Sequence, residues 1–170
     1  DGTDAVMLSA ETAAGKYPLE TVREMAAICL AAEQAYDAEL DLNTNNKSFR
    51  RIDQSIAMGA IFTAHHCGAK AIVALTESGS TALWMSRFRL AMPIYALTTR
   101  LSAQRRMAMY RNVRPLLMDT VTDKDAALVD AEAHLRKRGI VQSGDIYAIT
   151  CGEPMGTPGG TNSLKICTVK

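Results

Sequence analysis

Five short apolar runs separated by stretches of helical period constrain the fold of this chain more than any other feature. They are Ala71–Leu75, Pro93–Leu97, Val113–Met118, Ile146–Thr150 and Leu164–Val169. Ala71–Leu75, without polar alternation, reads as a buried strand, whereas Leu164–Val169 alternates. Helical patterns fall between them. Leu83, Trp84, Arg87 and Phe88 recur at helical spacing, Leu101 to Arg111 forms a second such segment, and Asp123 to Arg138 a third. In the third, Ala127, Leu128, Ala131 and Leu135 share one face and Gly139 supplies the stop. Ahead of the first run, Asp53 to Cys67 carries Ile56, Met58, Ala60, Ile61 and Ala64 and ends at Gly68. The order after residue 52 is therefore α, β, α, β, α, β, α, β, loop, β. Such alternation implies right-handed crossovers and a mainly parallel sheet with helices on both faces. The last run follows its neighbour through a loop without a helix, which makes it antiparallel. Pro115 lacks an N–H and places its strand at an edge or a bulge. The expectation is an α/β fold: a mainly parallel five-stranded sheet with one antiparallel strand.

The N-terminal part reads differently. Ala5–Leu8 is a short apolar run that suits a buried parallel strand, and Ser9 to Lys16 a polar loop. Pro18 occupies the first turn of a long amphipathic helix carrying Leu19, Val22, Ala26, Cys29 and Leu30 and reaching Tyr36. Asp41 to Arg51 holds three asparagines without periodicity and reads as a linker, dividing the chain into residues 1–40 and 41–170. The opening Asp1-Gly-Thr-Asp, without Met, reads as a cut inside a longer protein.

Composition excludes several functions. A formal net charge of +1 gives no electrostatic case for nucleic acid or an acidic membrane surface. No apolar run is long enough to span a bilayer. Cys29, Cys67, Cys151 and Cys167 are widely spaced with no CxxC, as for reduced thiols in a cytosolic, cytoplasmic protein. Adjacent His65 and His66 point about 100° apart on a helix and read as structural beside Cys67 rather than as metal ligands. Arg105, Arg106 and Arg111 read as a solvated helix face, and Asp123 and Asp125 as helix-start carboxylates answering the dipole. No catalytic set and no metal cage is discernible.

One turn stands apart. Thr76-Glu-Ser-Gly-Ser-Thr81 lies between an apolar strand and a helix. Free N–H groups at such a place favour an anion, phosphate above all, while Ser78 or Ser80 as a simple helix cap is the competing reading. In open parallel sheets, ligands bind beyond the carboxyl ends of the strands. The Gly152–Asn162 loop, rich in Gly and Pro, follows another strand and reaches the same rim.

Three stretches together resemble the C-terminal part of pyruvate kinase. Asp1 to Pro18, DGTDAVMLSAETAAGKYP, is similar to the family's last barrel strand and the loop into its last helix. Thr76-Glu-Ser-Gly-Ser-Thr-Ala82 is similar to its effector phosphate loop, and Ser143-Gly144-Asp145 with Gly156 and Thr161-Asn162 to its closing strands and effector loop. The resemblance implies the end of a (β/α)8 catalytic barrel over residues 1–40 and a regulatory domain over 41–170. It implies that Thr76, Ser78, Gly79, Ser80 and Thr81 hold an effector phosphate, and that Gly156, Gly159 and Gly160 let the closing loop approach it. The parent enzyme would move a phosphoryl group from phosphoenolpyruvate to ADP with magnesium and potassium, through residues absent here, so this chain alone would be inactive. Bisphosphate-sensing members carry a Trp and an Arg in the segment that here reads Asp119 to Leu128, which has neither. The implied effector is a sugar monophosphate or AMP. Ala14 stands where a Lys is common. The implied partners are the parent's barrel and further copies of the chain, a tetramer in the family. Two other readings remain at this point: a free-standing α/β nucleotide- or sugar-phosphate-binding module, and a thiol enzyme using Cys67 or Cys151.

Overall fold

The computed structural model describes residues 3–34, 48–88, 90–119 and 123–170. In chain order the elements are α1 (Ala10–Ala13), α2 (Pro18–Gln34), α3 (Ile52–His66), β1 (Ala71–Leu75), α4 (Ser80–Ser86) and β2 (Ile94–Thr98). Then follow α5 (Leu101–Met107), β3 (Val113–Leu117), α6 (Lys124–Lys137), β4 (Ile146–Gly152) and β5 (Thr161–Thr168). The sheet order is β3-β2-β1-β4-β5. Four strands run parallel and β5 pairs antiparallel with β4, as the loop connection required.

All five residues of β1 and of β2 are buried, which is what apolar runs without alternation demand. β3 is the parallel edge, and Pro115 sits in it opposite Ala96 without owing the sheet an N–H on its open side. One face of the sheet is covered by α3, α4 and α5 through Ala57, Ala60, Ile61, Met85 and Met107. The other is covered by α6 through Ala127, Leu128, Ala131 and Leu135. Asp123 caps α6, its carboxylate accepting the Ala126 N–H at 3.1 Å.

Three expectations need correction. Ala5–Leu8 is not a strand; no described strand lies beside it to pair its backbone, and an unpaired segment cannot form a ladder. Within the expected Ser9–Lys16 loop, a single helical turn forms at α1. The helices after β1 and β2 are shorter than their patterns suggested. α4 ends before Arg87 and Phe88, and α5 ends at Met107, where the chain turns through Asn112 at φ 57° into β3. No described part of the chain covers the apolar stripe of α2, where Leu19, Val22, Ile28 and Leu30 are all at least half exposed. The linker read over Asp41–Arg51 lies mostly outside the described residues. Asp4 ties the first segment to the sheet domain. Its carboxylate accepts from the Arg87 guanidinium at 2.6 and 2.7 Å and from the Arg111 N–H at 2.7 Å. Partial burial raises its carboxyl, and those bonds and both arginine charges outweigh this, holding it below the usual carboxylate range.

With α6 as the described cover of its face, Leu135→Ala should cost about 2–5 kcal/mol in urea unfolding, because it opens a cavity in a fully buried site. Val129→Ala, on the exposed side of the same helix, should change stability by less than about 0.5 kcal/mol.

Candidate functional site

β1 and β2 are hydrogen-bonded on both edges and buried on both faces, so their side chains are committed to the core. What they can offer a ligand is at their carboxyl ends. There the strand order changes direction: the chain passes from β1 to β2 and β3 on one side, then returns to β4 on the other. A cavity of about 390 Å³ opens at this end. Its floor is Leu75, Thr76, Leu97 and Thr98, and its wall includes Thr99, Arg100 and Met118. Its roof is the loop between β4 and β5, through Met155, Gly156, Thr157 and Gly159. The volume suits a small metabolite.

The turn after β1 is built by its own hydroxyls. The Gly79 N–H donates to Thr76 Oγ1 at 2.9 Å. Ser78 Oγ donates to Ser80 Oγ at 3.3 Å and accepts the Ser80 N–H at 3.4 Å. These last two bonds are long and hence weak, and a better acceptor can displace them. Gly79 takes φ 84°, and a Cβ there would stand 2.7 Å from Met107 Cγ, so only glycine fits. The N-cap position of α4 is Gly79, without a side-chain cap bond of its own, while Ser78 Oγ accepts the N–H of Ser80, the first residue of the helix.

The roof is stapled at its base. The Glu153 N–H donates to Asn162 Oδ1 at 2.9 Å and Asn162 Nδ2 donates to the Glu153 carbonyl at 2.7 Å. Lys124 Nζ meets Glu153 Oε2 at 2.6 Å, joining the start of α6 to the same loop. At the fold's interior the hydroxyls of Thr81 and Thr161 lie 2.6 Å apart, both residues buried. Turn and roof are therefore physically joined.

Of the residues the sequence singled out, Thr76, Gly156 and Gly159 line the cavity. Ser78, Gly79 and Ser80 form the adjoining turn. Thr81 lies behind it with its hydroxyl engaged by Thr161, and Gly160 closes a backbone turn onto the Thr157 carbonyl at 3.0 Å. Sequence reasoning missed Glu77, Thr98, Thr99, Arg100 and Thr157. Arg100 Nε donates to Glu77 Oε2 at 2.7 Å across the cavity mouth. The place of Arg100, three residues past the last apolar residue of a parallel strand, was the available signal. The arginine cluster divides. Arg111 is structural: besides its N–H to Asp4, its guanidinium donates to the Ser86 and Phe88 carbonyls at 3.2 and 2.9 Å. Arg105 and Arg106 are exposed.

The thiol reading meets the wrong electrostatics. Cys151 is buried, and burial, aided by the Glu153 charge, pushes its thiol up despite Lys124 and Lys165, away from a reactive thiolate. Cys67 Sγ donates to the Ala64 carbonyl. All four cysteines are free. Among the described residues no group of three or more His, Cys, Asp or Glu could hold a metal, and no helix is long and apolar enough to cross a membrane.

Comparison with known proteins decides the family. The model of the pyruvate kinase alpha/beta domain matches residues 54–167, the whole sheet with its cavity. The chain belongs to the pyruvate kinase family. Pyruvate kinase II of Salmonella typhimurium is 43% identical over 171 residues, 100% of this chain and 36% of that protein. The pyruvate kinase of Buchnera aphidicola subsp. Baizongia pistaciae is 39% identical over 99% of this chain and 36% of its own length. That of Staphylococcus epidermidis is 41% identical over 98% and 28%. The chain thus spans about a third of the length of the pyruvate kinases it matches, and 36% of the first.

Two outcomes follow from this geometry. Thr81→Val or Thr161→Val alone should cost about 1–3 kcal/mol by stranding a buried hydroxyl, while the double variant should cost less than their sum in a denaturation cycle. In native protein near neutral pH, Cys151 should be the slowest of the four cysteines to take up iodoacetamide, as read by mass spectrometry of its peptide.

Proposed function

We propose that the chain is the C-terminal regulatory part of a pyruvate kinase and that its cavity receives a small molecule bearing one phosphate, a sugar monophosphate or AMP. The observation that carries this reading is the cavity between the Thr76–Thr81 turn and the glycine-bearing roof. Thr76 lines it, and the weakly bonded hydroxyls of Ser78 and Ser80 lie in the adjoining turn, where a phosphate could take their bonds. Leu75, Leu97, Met118 and Met155 offer an apolar wall for the rest of a ligand.

Charge argues for one phosphate. The lining residues include one arginine and one carboxylate, already paired as Arg100 and Glu77. A single phosphate can take Arg100 from Glu77 in a bidentate contact. A second would lie near the Glu77 carboxylate without a second cation among the lining residues. The segment between β3 and α6, where the sequence lacks a Trp and an Arg, falls partly outside the described residues.

In the parent enzyme, phosphoryl transfer from phosphoenolpyruvate to ADP, yielding pyruvate and ATP, would be done by barrel segments this chain does not contain. Magnesium and potassium would act there. The exposed apolar side of α2 supports its docking on that barrel or on another copy, in a cytoplasmic oligomer. Occupation of the cavity would then bias the catalytic part through the contacts of Asp4 with Arg87 and Arg111.

A melting panel tests the ligand. AMP or a hexose monophosphate at 100 times its dissociation constant should add about 2.7 kcal/mol of stability. Arg100→Gln should weaken that binding about tenfold, the loss of one charge-assisted contact. Fructose 1,6-bisphosphate binding more than about tenfold tighter than any monophosphate overturns the one-phosphate reading. A coupled assay with phosphoenolpyruvate, ADP and magnesium should detect no turnover by this chain alone.

A further inference from the structure

An ion pair at the start of α3 stands against the roof of the cavity. Asp53 is the one charged side chain that is buried among the described residues, at 2% exposure. It lies in the first turn of α3, and Arg51 is the residue just before that helix. The two form a bidentate fork: Arg51 Nε donates to Asp53 Oδ1 at 2.9 Å and Nη2 to Oδ2 at 2.8 Å. A buried carboxylate needs such a partner, so the guanidinium is pinned in one place. That place is against Gly159. A Cβ at residue 159 would stand 2.8 Å from Arg51 Nη2, 4.0 Å from its Cζ and 3.9 Å from Asp53 Oδ2. The guanidinium thus fills the space that a side chain on the roof would take, and Gly159 lines the cavity on its other side.

We propose that Arg51, clamped by Asp53, is a positioning residue that sets the height of the Gly156–Gly160 roof over the cavity and so its hold on a ligand. This rests on the reading that the cavity binds a phosphorylated metabolite. The asymmetry of the pair supports it. Asp53 is buried in the first turn of α3, whereas the Arg51 side chain is 52% exposed and stands against the loop. An arginine that served only to neutralise Asp53 would not need a glycine opposite it. Lysine would keep the charge but not the planar fork.

The test uses the protein with Arg51→Met, Arg51→Lys, Gly159→Ala and the double variant Arg51→Met/Gly159→Ala. Hydrogen exchange reads the roof without any ligand, and AMP and glucose 6-phosphate are the binding probes. Arg51→Met should speed amide exchange across residues 156–160 by about tenfold, with exchange in β1 and β2 unchanged. It should weaken AMP or glucose 6-phosphate about five- to tenfold, chiefly through faster release, and Arg51→Lys should fall between. Gly159 has φ 71°, so Gly159→Ala is strained in any background. That strain is common to both arms of the cycle and cancels. The penalty of Gly159→Ala on roof exchange should be smaller when Arg51 is already Met. Equal penalties in the two backgrounds, or Arg51→Met exchange like the unsubstituted protein's, overturn the clamp. Failure of the unsubstituted protein to bind either probe overturns the functional reading, while the exchange cycle still decides the clamp.

Discussion

A strand bonded on both edges and covered on both faces can present chemistry only at its ends. β1 is such a strand, with β2 and β4 on its flanks and all its residues buried. Everything distinctive in the molecule follows from where β1 leaves the sheet. The chain has to turn outward at Thr76, and because β4 lies beside β1, the loop after β4 emerges over the same turn. The cavity is the space between those two exits.

The materials at that place are suited to binding rather than to covalent chemistry. Threonine side chains and one arginine line it, and the arginine is already balanced by Glu77. The thiol nearest the roof, Cys151, is held away from reactivity by its burial. On the proposed reading, a site of this kind would hold an anion. The buried Thr81–Thr161 contact joins α4 to the start of β5, and the Arg51–Asp53 fork stands against Gly159 of the roof.

Much of the fold was legible because it depends on local pattern. Unalternating apolar runs can only be strands covered on both sides, and helical spacing between them leaves few topologies open. The Gly79 turn and the glycine-bearing roof were legible for the same reason, since positive φ and close backbone approach demand glycine. The failures were of another sort. Ala5–Leu8 has a strand's composition, but a ladder needs a neighbour. Arg100, Glu77 and Thr157 carried no pattern at all, because one arginine or glutamate at a loop start is statistically ordinary.

The order of residues alone therefore determined the element types, the parallel sheet with its antiparallel end, and the two loops that meet at its rim. Tertiary structure alone decided which charges face each other there: that Glu77 neutralises Arg100, that Thr81 is spent on Thr161, and that Arg51 stands against Gly159. The physical reason is range. Periodicity and glycine conformation are settled within a few residues. The pairing of Thr81 with a threonine 80 positions away exists only once folding has brought α4 and the start of β5 together.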